Sequence, residues 1–282
     1  MKMRVFLSVI LWAWVLTVGA KNIEPRFDGK KITNDVFWNT AEGMPLYSQG
    51  GGIFRYPDPD TGRLRYYWYG VRYAEAVRYR EDPSVTYPAC TFEAVTCYSS
   101  DDLINWYYEG DVLTREEVDR YGRAGWVGRM GVAYLEAWNQ YVLVVQHDNG
   151  VLFALSHTPN GRFTWHRRIT MEKIIGTPNT GDQTVFVDED TRKPYLIYSY
   201  GRGRNRIYVS EIGIRDGQVD LLDCTQVFKG AGREGNCLFK YEGRYYMCAS
   251  NLYGWDSSFA YYMVANDIRG PYEPVNDMKI MP

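Results

Sequence analysis

Two acidic residues sit in polar runs that lead into short apolar segments. Asp182 lies in Thr180-Gly181-Asp182-Gln183, ahead of Val185-Phe186-Val187. Glu234 lies in Arg233-Glu234-Gly235-Asn236, ahead of Cys237-Leu238-Phe239. A carboxyl group held near a second carboxylate in a cleft keeps its proton to higher pH, as a general acid at neutral pH requires. Alternatively, each carboxylate caps its own turn through nearby backbone N–H groups. The matching places of the two acids ahead of successive apolar segments favour a shared site. Arg129 and Gln183, and Gln49 in Ser48-Gln49-Gly50-Gly51-Gly52, have the donors and acceptors to bind hydroxyl groups. Trp126, Tyr253 and Trp255 offer flat faces, either for a ligand ring or for packing inside the fold. His147, in Gln146-His147-Asp148, either faces the same cleft or occupies a surface turn. With 3 His in the chain and no Cys-x-x-Cys spacing, neither a metal site nor a cofactor is expected.

Something must hold those runs together, and the chain supplies a repeat. One copy runs Val132-Ala133-Tyr134, then Tyr141-Val142-Leu143-Val144-Val145, then Val151-Leu152-Phe153-Ala154-Leu155-Ser156. The next runs Val185-Phe186-Val187, Tyr195-Leu196-Ile197-Tyr198, Ile207-Tyr208-Val209-Ser210. A further copy begins at Cys237-Leu238-Phe239, and an earlier one at Gly51-Gly52-Ile53-Phe54. The earlier copy carries an insertion over roughly residues 71–93, rich in Arg and Tyr. A period near 50 residues with three to four strands per copy predicts an all-β protein of the β-propeller type. No apolar period of the helical kind is present, and a β-sandwich fits a fixed period less well. Blades are expected at approximately 44–112, 127–170, 180–228 and 232–276. In a propeller the innermost strands line a central channel, so the residues just before them converge on one mouth. That convergence brings Asp182, Glu234, Gln49 and Arg129 to one site.

Residues 1–20 have the form of a signal peptide: Lys2 and Arg4, an apolar run from Val5 to Leu16, then Val18-Gly19-Ala20. Cleavage after Ala20 would leave 21–282 as the propeller domain, periplasmic or secreted. The apolar run is too short to span a membrane. Charge is nearly balanced, at net −2, which argues against a nucleic-acid partner. Tyr 25, Phe 11 and Trp 9 make 16% of the chain aromatic, which suits strands. Of the 5 Cys, Cys237 and Cys248 flank Tyr241-Glu242-Gly243-Arg244 symmetrically. A two-residue hairpin turn there would place them opposite each other, either bonded or as two small buried residues.

These segments resemble glycoside hydrolase family 43. The resemblance rests on Gly181-Asp182-Gln183-Thr184-Val185-Phe186-Val187-Asp188-Glu189-Asp190 with Tyr195-Leu196-Ile197-Tyr198-Ser199, and on Arg233-Glu234-Gly235-Asn236-Cys237-Leu238-Phe239-Lys240 with Gly243-Arg244-Tyr245-Tyr246-Met247. Gly50-Gly51-Gly52-Ile53 with Tyr67-Trp68-Tyr69-Gly70, and the loop from Ser250 to Asp256, resemble the branch of exo-β-1,3-galactosidases. The resemblance implies a five-bladed propeller that cleaves glycosidic bonds with inversion. It implies Glu234 as general acid, with Asp182 raising the proton affinity of Glu234 and orienting it. Inversion also needs a base across the sugar, with the carboxyl groups roughly 6.5–9.5 Å apart. Most of the family has an Asp at the start of the first inner strand, where this chain has Gly50-Gly51-Gly52. The galactosidase branch uses a second-blade Glu, where this chain has Gly128, and a Gln from the last blade. Gln49, Glu42 or a residue beyond Pro282 are left for that role. Four copies are recognisable before the chain ends, so a fifth blade is expected to be missing or incomplete.

The expected function is hydrolysis of terminal glycosidic bonds in an oligo- or polysaccharide, with galactose in β-1,3 linkage first and arabinofuranose second. The alternative is a catalytically inactive carbohydrate-binding propeller. A structural or sensor propeller without a sugar ligand is disfavoured by the pairing of Asp182 with Glu234.

Overall fold

A computed structural model describes residues 31–122, 125–254 and 256–275 of the 282-residue chain. The expected signal peptide at 1–20 and Trp255 lie outside the described residues. Sixteen strands form four antiparallel sheets of four strands each. The first sheet is β1 (Gln49–Pro57), β2 (Leu64–Tyr73), β3 (Phe92–Ser100) and β4 (Tyr107–Thr114). The second is β5 (Val127–Leu135), β6 (Gln140–His147), β7 (Gly150–Ser156) and β8 (Thr164–Ile169). The third is β9 (Thr180–Val187), β10 (Pro194–Tyr200), β11 (Arg206–Arg215) and β12 (Gln218–Lys229). The fourth is β13 (Glu234–Tyr241), β14 (Arg244–Ser250), β15 (Ala260–Ala265) and the short β16 (Glu273–Pro274). Short helices are α1 (Ala76–Glu81), α2 (Arg115–Asp119) and α3 (Glu172–Ile175).

Each sheet is an up-and-down blade, and the inner strands pack in the order β1, β5, β9, β13. This is a propeller arrangement of four blades; a fifth is not seen among the described residues. Three apolar clusters fill the three blade interfaces. Tyr67, Tyr69 and Val95 meet Val132 and Leu143 between the first and second blades. Val144 and Phe153 meet Leu196 and Tyr198 between the second and third. Ile197 and Phe228 meet Met247 and Met263 between the third and fourth. Buried tyrosines add polar ties across the first interface. The Tyr56 hydroxyl donates to Val132 O at 2.7 Å, and the Tyr69 hydroxyl donates to Pro159 O at 2.6 Å. Burial pushes both phenols well above their usual range, so they remain donors.

Turn chemistry follows the sequence. Glu242 and Gly243 take φ of 48° and 74° in the two-residue loop between β13 and β14, as an inverse type I hairpin turn requires. Cys237 and Cys248 are cross-strand partners there, and both thiols are free. Cys237 is exposed and Cys248 half-buried, so they are neither bonded nor the pair of buried residues that was the other expectation. Asp58 and Asp188 close equivalent turns between the first two strands of their blades, each accepting from the Thr three residues later, Thr61 and Thr191. The buried Asp188 also reaches the fourth blade, where Lys240 Nζ lies 3.2 Å away and the Tyr245 hydroxyl donates to it.

One face of the fourth blade is apolar and, among the described residues, exposed. Along β13, Phe239 and Tyr241 are 45% and 59% exposed, and Phe239 stacks on Tyr246 with ring centroids 5.0 Å apart. On the first blade Ile53 is 47% exposed. No helix among the described residues is long and apolar enough to cross a membrane.

Candidate active site

All four inner strands begin with the same irregularity. Gln49 and Gly52 oppose Val71 and Tyr69; Val127 and Met130 oppose His147 and Val145. Thr180 and Gln183 oppose Tyr200 and Tyr198; Glu234 and Cys237 oppose Ser250 and Cys248. In each case three steps on the inner strand face two on its neighbour, which is a one-residue β-bulge. A bulge frees a residue from the ladder and re-aims its side chain, here toward the propeller mouth. A glycine holds the second place every time: Gly50, Gly128, Gly181 and Gly235. At Gly50 and Gly235 the reason is conformational, with φ of 69° and 63°.

The bulge register corrects one expectation. Asp182 and Glu234 do not occupy equivalent places. Glu234 matches Thr180, Val127 and Gln49, whereas Asp182 matches Asn236, Arg129 and Gly51. They still converge, because the two places project toward each other across adjacent blades. The Asp182 carboxylate accepts from Gly235 N at 2.9 Å. Arg129 Nη2 lies 3.5 Å from the same Asp182 oxygen, and Arg204 Nε lies 3.5 Å from Glu234 Oε2.

Buried amides lock the bulges together. Gln146 Nε2 donates to Thr180 O and Gly181 O at 3.1 and 2.7 Å. Gln183 Nε2 donates to Arg129 O at 3.3 Å, and Asn236 Nδ2 donates to Asp182 O at 3.0 Å. Each side chain satisfies carbonyl groups that the bulge removes from the ladder, which burial would otherwise penalise. Gln183 is thus engaged in the wall of the site and does not line its cavity.

The cavity at this mouth has a volume of about 910 Å³. Asp148, Asp182 and Glu234 line it together with Arg115, Arg129 and Arg204. Gln49 and Trp126 line it as well. The end of β2 and the insertion that follows it supply another wall, through Tyr73 and through Tyr87, Cys90 and Thr91. The insertion is pinned at its base, where Thr91 N donates to Glu75 Oε2 at 2.8 Å and Ala74 N to Thr91 O at 2.9 Å. The Tyr73 hydroxyl donates to Val127 O at 2.8 Å, and burial pushes its phenol up to about 12.

Trp126 is held by a clasp. Its N–H donates to Asp148 Oδ1 at 2.7 Å, and its carbonyl accepts from Asp148 N at 3.0 Å. Its indole covers Gly128, where an added Cβ would sit 2.0 Å from the ring. The ring is 46% exposed and therefore presents a face to the cavity.

His147 is 1% exposed and packs edge-on against Trp165 with centroids 6.1 Å apart, away from the cavity lining. Tyr253 is exposed beside Gly254, which does line the cavity, and Glu42 is exposed outside it. Sequence reasoning missed Asp148 and Arg204. Asp148 stands at the end of a middle strand, next to the histidine that drew attention. Arg204 lies in the Gly201-Arg202-Gly203-Arg204 turn, legible only as a turn. No group of three metal-ligating side chains occurs among the described residues.

Comparison with known proteins places this architecture. The family model "Glycosyl hydrolases family 43" matches residues 56–282, and the chain belongs to that family. The structure is similar to that of an exo-β-1,3-galactanase from Clostridium thermocellum, with a TM-score of 0.68 and 27% identity over 86% of this chain and 50% of that one. An exo-β-1,3-galactanase from Phanerochaete chrysosporium, solved with β-1,3-galactotriose, shares the fold at a TM-score of 0.66 and 23% identity, over 84% of this chain and 51% of that one. A β-xylosidase of Formosa agariphila is 28% identical over 169 residues, 52% of this chain and 27% of that protein. The chain thus spans about a quarter of that relative and about half of those two solved chains.

Proposed function

We propose that the chain hydrolyses a terminal glycosidic bond with inversion, Glu234 acting as general acid. The observation that carries this is the junction of Asp182 with the Glu234 bulge at a mouth lined by three acids and three arginines. Glu234 gives its proton to the leaving oxygen as the bond to the anomeric carbon breaks. A water attacks from the opposite face and loses a proton. Asp148, the third carboxylate lining the cavity, is the group available to accept that proton, with Gln49 beside the same space. Asp182 orients Glu234 through Gly235. Trp126 stacks on a sugar face, and Arg129 binds hydroxyl groups. Tyr253, exposed beside the cavity-lining Gly254, belongs to the loop that would border the ligand.

Similarity to two exo-β-1,3-galactanases favours a β-1,3-linked galactan, ahead of an arabinofuranoside. The leader at 1–20 supports export, which suits a polysaccharide substrate. A second reading, saccharide binding without turnover, draws support from Gly128, which places no carboxylate beneath Trp126.

Turnover of 4-nitrophenyl β-D-galactopyranoside and of β-1,3-galactobiose separates the two. The wild-type protein is expected to release galactose with inverted configuration, seen by proton NMR. Glu234→Gln is expected to lose release from the disaccharide while still binding it. Binding without release by the wild-type protein would establish the second reading, and full activity of Glu234→Gln would remove Glu234 from the mechanism.

A further inference from the structure

Arg204 has no assigned part in this chemistry, yet the fold builds it into the acid's surroundings. It lies in the turn between β10 and β11 with φ of 49°, a left-handed conformation that a non-glycine residue holds at a cost. The surrounding structure enforces it. Arg204 O accepts from Arg233 N at 2.8 Å, directly before Glu234 in the chain. Gly181 makes room for the side chain, since a Cβ there would lie 3.0 Å from Arg204 Cγ. Gly230 N donates to Asn205 O at 3.0 Å, fastening the same turn to the segment that leads into β13.

The guanidinium ends beside Glu234. Its Nε is 3.5 Å from Glu234 Oε2, is buried, and donates to no hydrogen-bond acceptor among the described residues. A buried N–H without an acceptor is costly, and a small movement of Glu234 would satisfy it. The other charged groups lining this cavity are accounted for. Asp182 is bound by Gly235 N and faces Arg129. Asp148 holds Trp126, and Arg115 faces Asp119. The guanidinium of Arg233, beside Glu234 in the chain, donates to Asn251 Oδ1 at 2.8 Å and lies over the Tyr261 ring. Tyr73 at the end of β2, and Tyr87 and Cys90 of the following insertion, complete the titratable groups of the lining.

We propose that Arg204 is a positioning residue that aims the Glu234 carboxyl group at the leaving oxygen. Its buried Nε and Glu234 Oε2 face each other across the junction of the third and fourth blades, and closing that gap fixes the direction of the carboxyl group. This inference rests on Glu234 being the acid.

The test reads kcat and KM separately on β-1,3-galactobiose and on 4-nitrophenyl β-D-galactopyranoside for the wild type, Arg204→Met and Arg204→Lys. A nitrophenolate departs with little help from an acid, whereas a sugar hydroxyl needs a well-aimed proton. Arg204→Met is expected to lose about tenfold in kcat on the disaccharide with KM nearly unchanged, and much less on the aryl glycoside. Arg204→Lys keeps an N–H donor and is expected to recover part of the loss. An unchanged kcat on the disaccharide, or equal losses on both substrates, in folded Arg204→Met would overturn the proposal. If Arg204→Met does not fold, Arg204→Gln serves the same comparison. Full activity of Glu234→Gln would strike the underlying mechanism instead, and is scored separately.

Discussion

The carboxylate of Asp182 accepts a hydrogen bond from the backbone N–H of Gly235, the residue that follows Glu234. One acid therefore grips the backbone that carries the other. The grip crosses from the third blade to the fourth, so the angle of Glu234 depends on how those blades meet. Asp182→Ala removes this acceptor and the partner of Arg129 together. A hydrogen bond to a charged group is worth about 1.5–3 kcal/mol. The partial exposure of Asp182 lowers the expected loss to about 1–2 kcal/mol. Asp182→Asn keeps an oxygen for Gly235 N, so its unfolding temperature is expected to stay near wild type while its turnover falls with that of Asp182→Ala. Equal stability losses in both variants would show that the Gly235 bond is not what matters.

Trp126 and Gly128 form a second coupled pair. Any side chain at Gly128 must displace the indole, since an added Cβ would lie 2.0 Å from it. Gly128→Ala and Trp126→Ala are therefore expected to weaken saccharide binding to similar degrees, each by about tenfold, or about 1.4 kcal/mol. Calorimetry with β-1,3-galactobiose checks this. Tight binding by Trp126→Ala would show that the ring only packs and does not stack on the ligand.

Asp148 is the third cavity carboxylate, and no cation lies within ion-pair distance of it among the described residues. If it accepts the proton of the attacking water, as proposed, a small anion should replace it. Asp148→Ala is expected to lose about 10²–10⁴-fold in turnover. Added azide should restore part of that and yield a glycosyl azide of inverted configuration. If azide has no effect, Asp148 serves only to hold Trp126.

How legible was this in the sequence? The blades were, because apolar and aromatic strands recur at intervals of 53 and 52 residues, from Val132 to Val185 and from Val185 to Cys237. That Glu234 and Asp182 meet at one mouth was also legible, because each stands in the polar run that leads into an inner strand. Their relative phase was not. A bulge adds one residue without changing composition, so counting from the apolar strand hides it. Aligning Gly50, Gly128, Gly181 and Gly235 would have exposed it. His147 lies neither in the cleft nor on the surface, the two expected places, but in the interior: β6 is buried on both faces, and a period of two cannot tell cavity from core. Gln183 was misjudged because nothing local distinguishes an amide that binds ligand from one that satisfies a bulge carbonyl.

Asp188 offers a stability test remote from the mouth. Burial favours its neutral form, but hydrogen bonds from Tyr245, from Lys240 and from the N–H groups of Thr191 and Asp190 outweigh this and hold its carboxyl below the usual range. Its contribution is therefore present above the unfolded value near 3.9 and is lost as pH falls through the lower folded value. Asp188→Asn is expected to be less stable at neutral pH by about 3 kcal/mol, since it leaves a largely buried pair broken. The gap from wild type should narrow as the solution is acidified. Chemical denaturation at neutral and acidic pH reads both, and a constant gap would rule out the linkage.

The four bulges share one backbone register, yet their third places carry nothing, a cation, an anion and an amide: Gly51, Arg129, Asp182 and Asn236. One backbone step, repeated four times, thus carries four different chemistries. Gly51 adds no side chain to it, Arg129 faces Asp182 across the second and third blades, and Asp182 and Asn236 fasten the third blade to the fourth. The mouth is therefore hinged on its acidic side, where shape and charge change together.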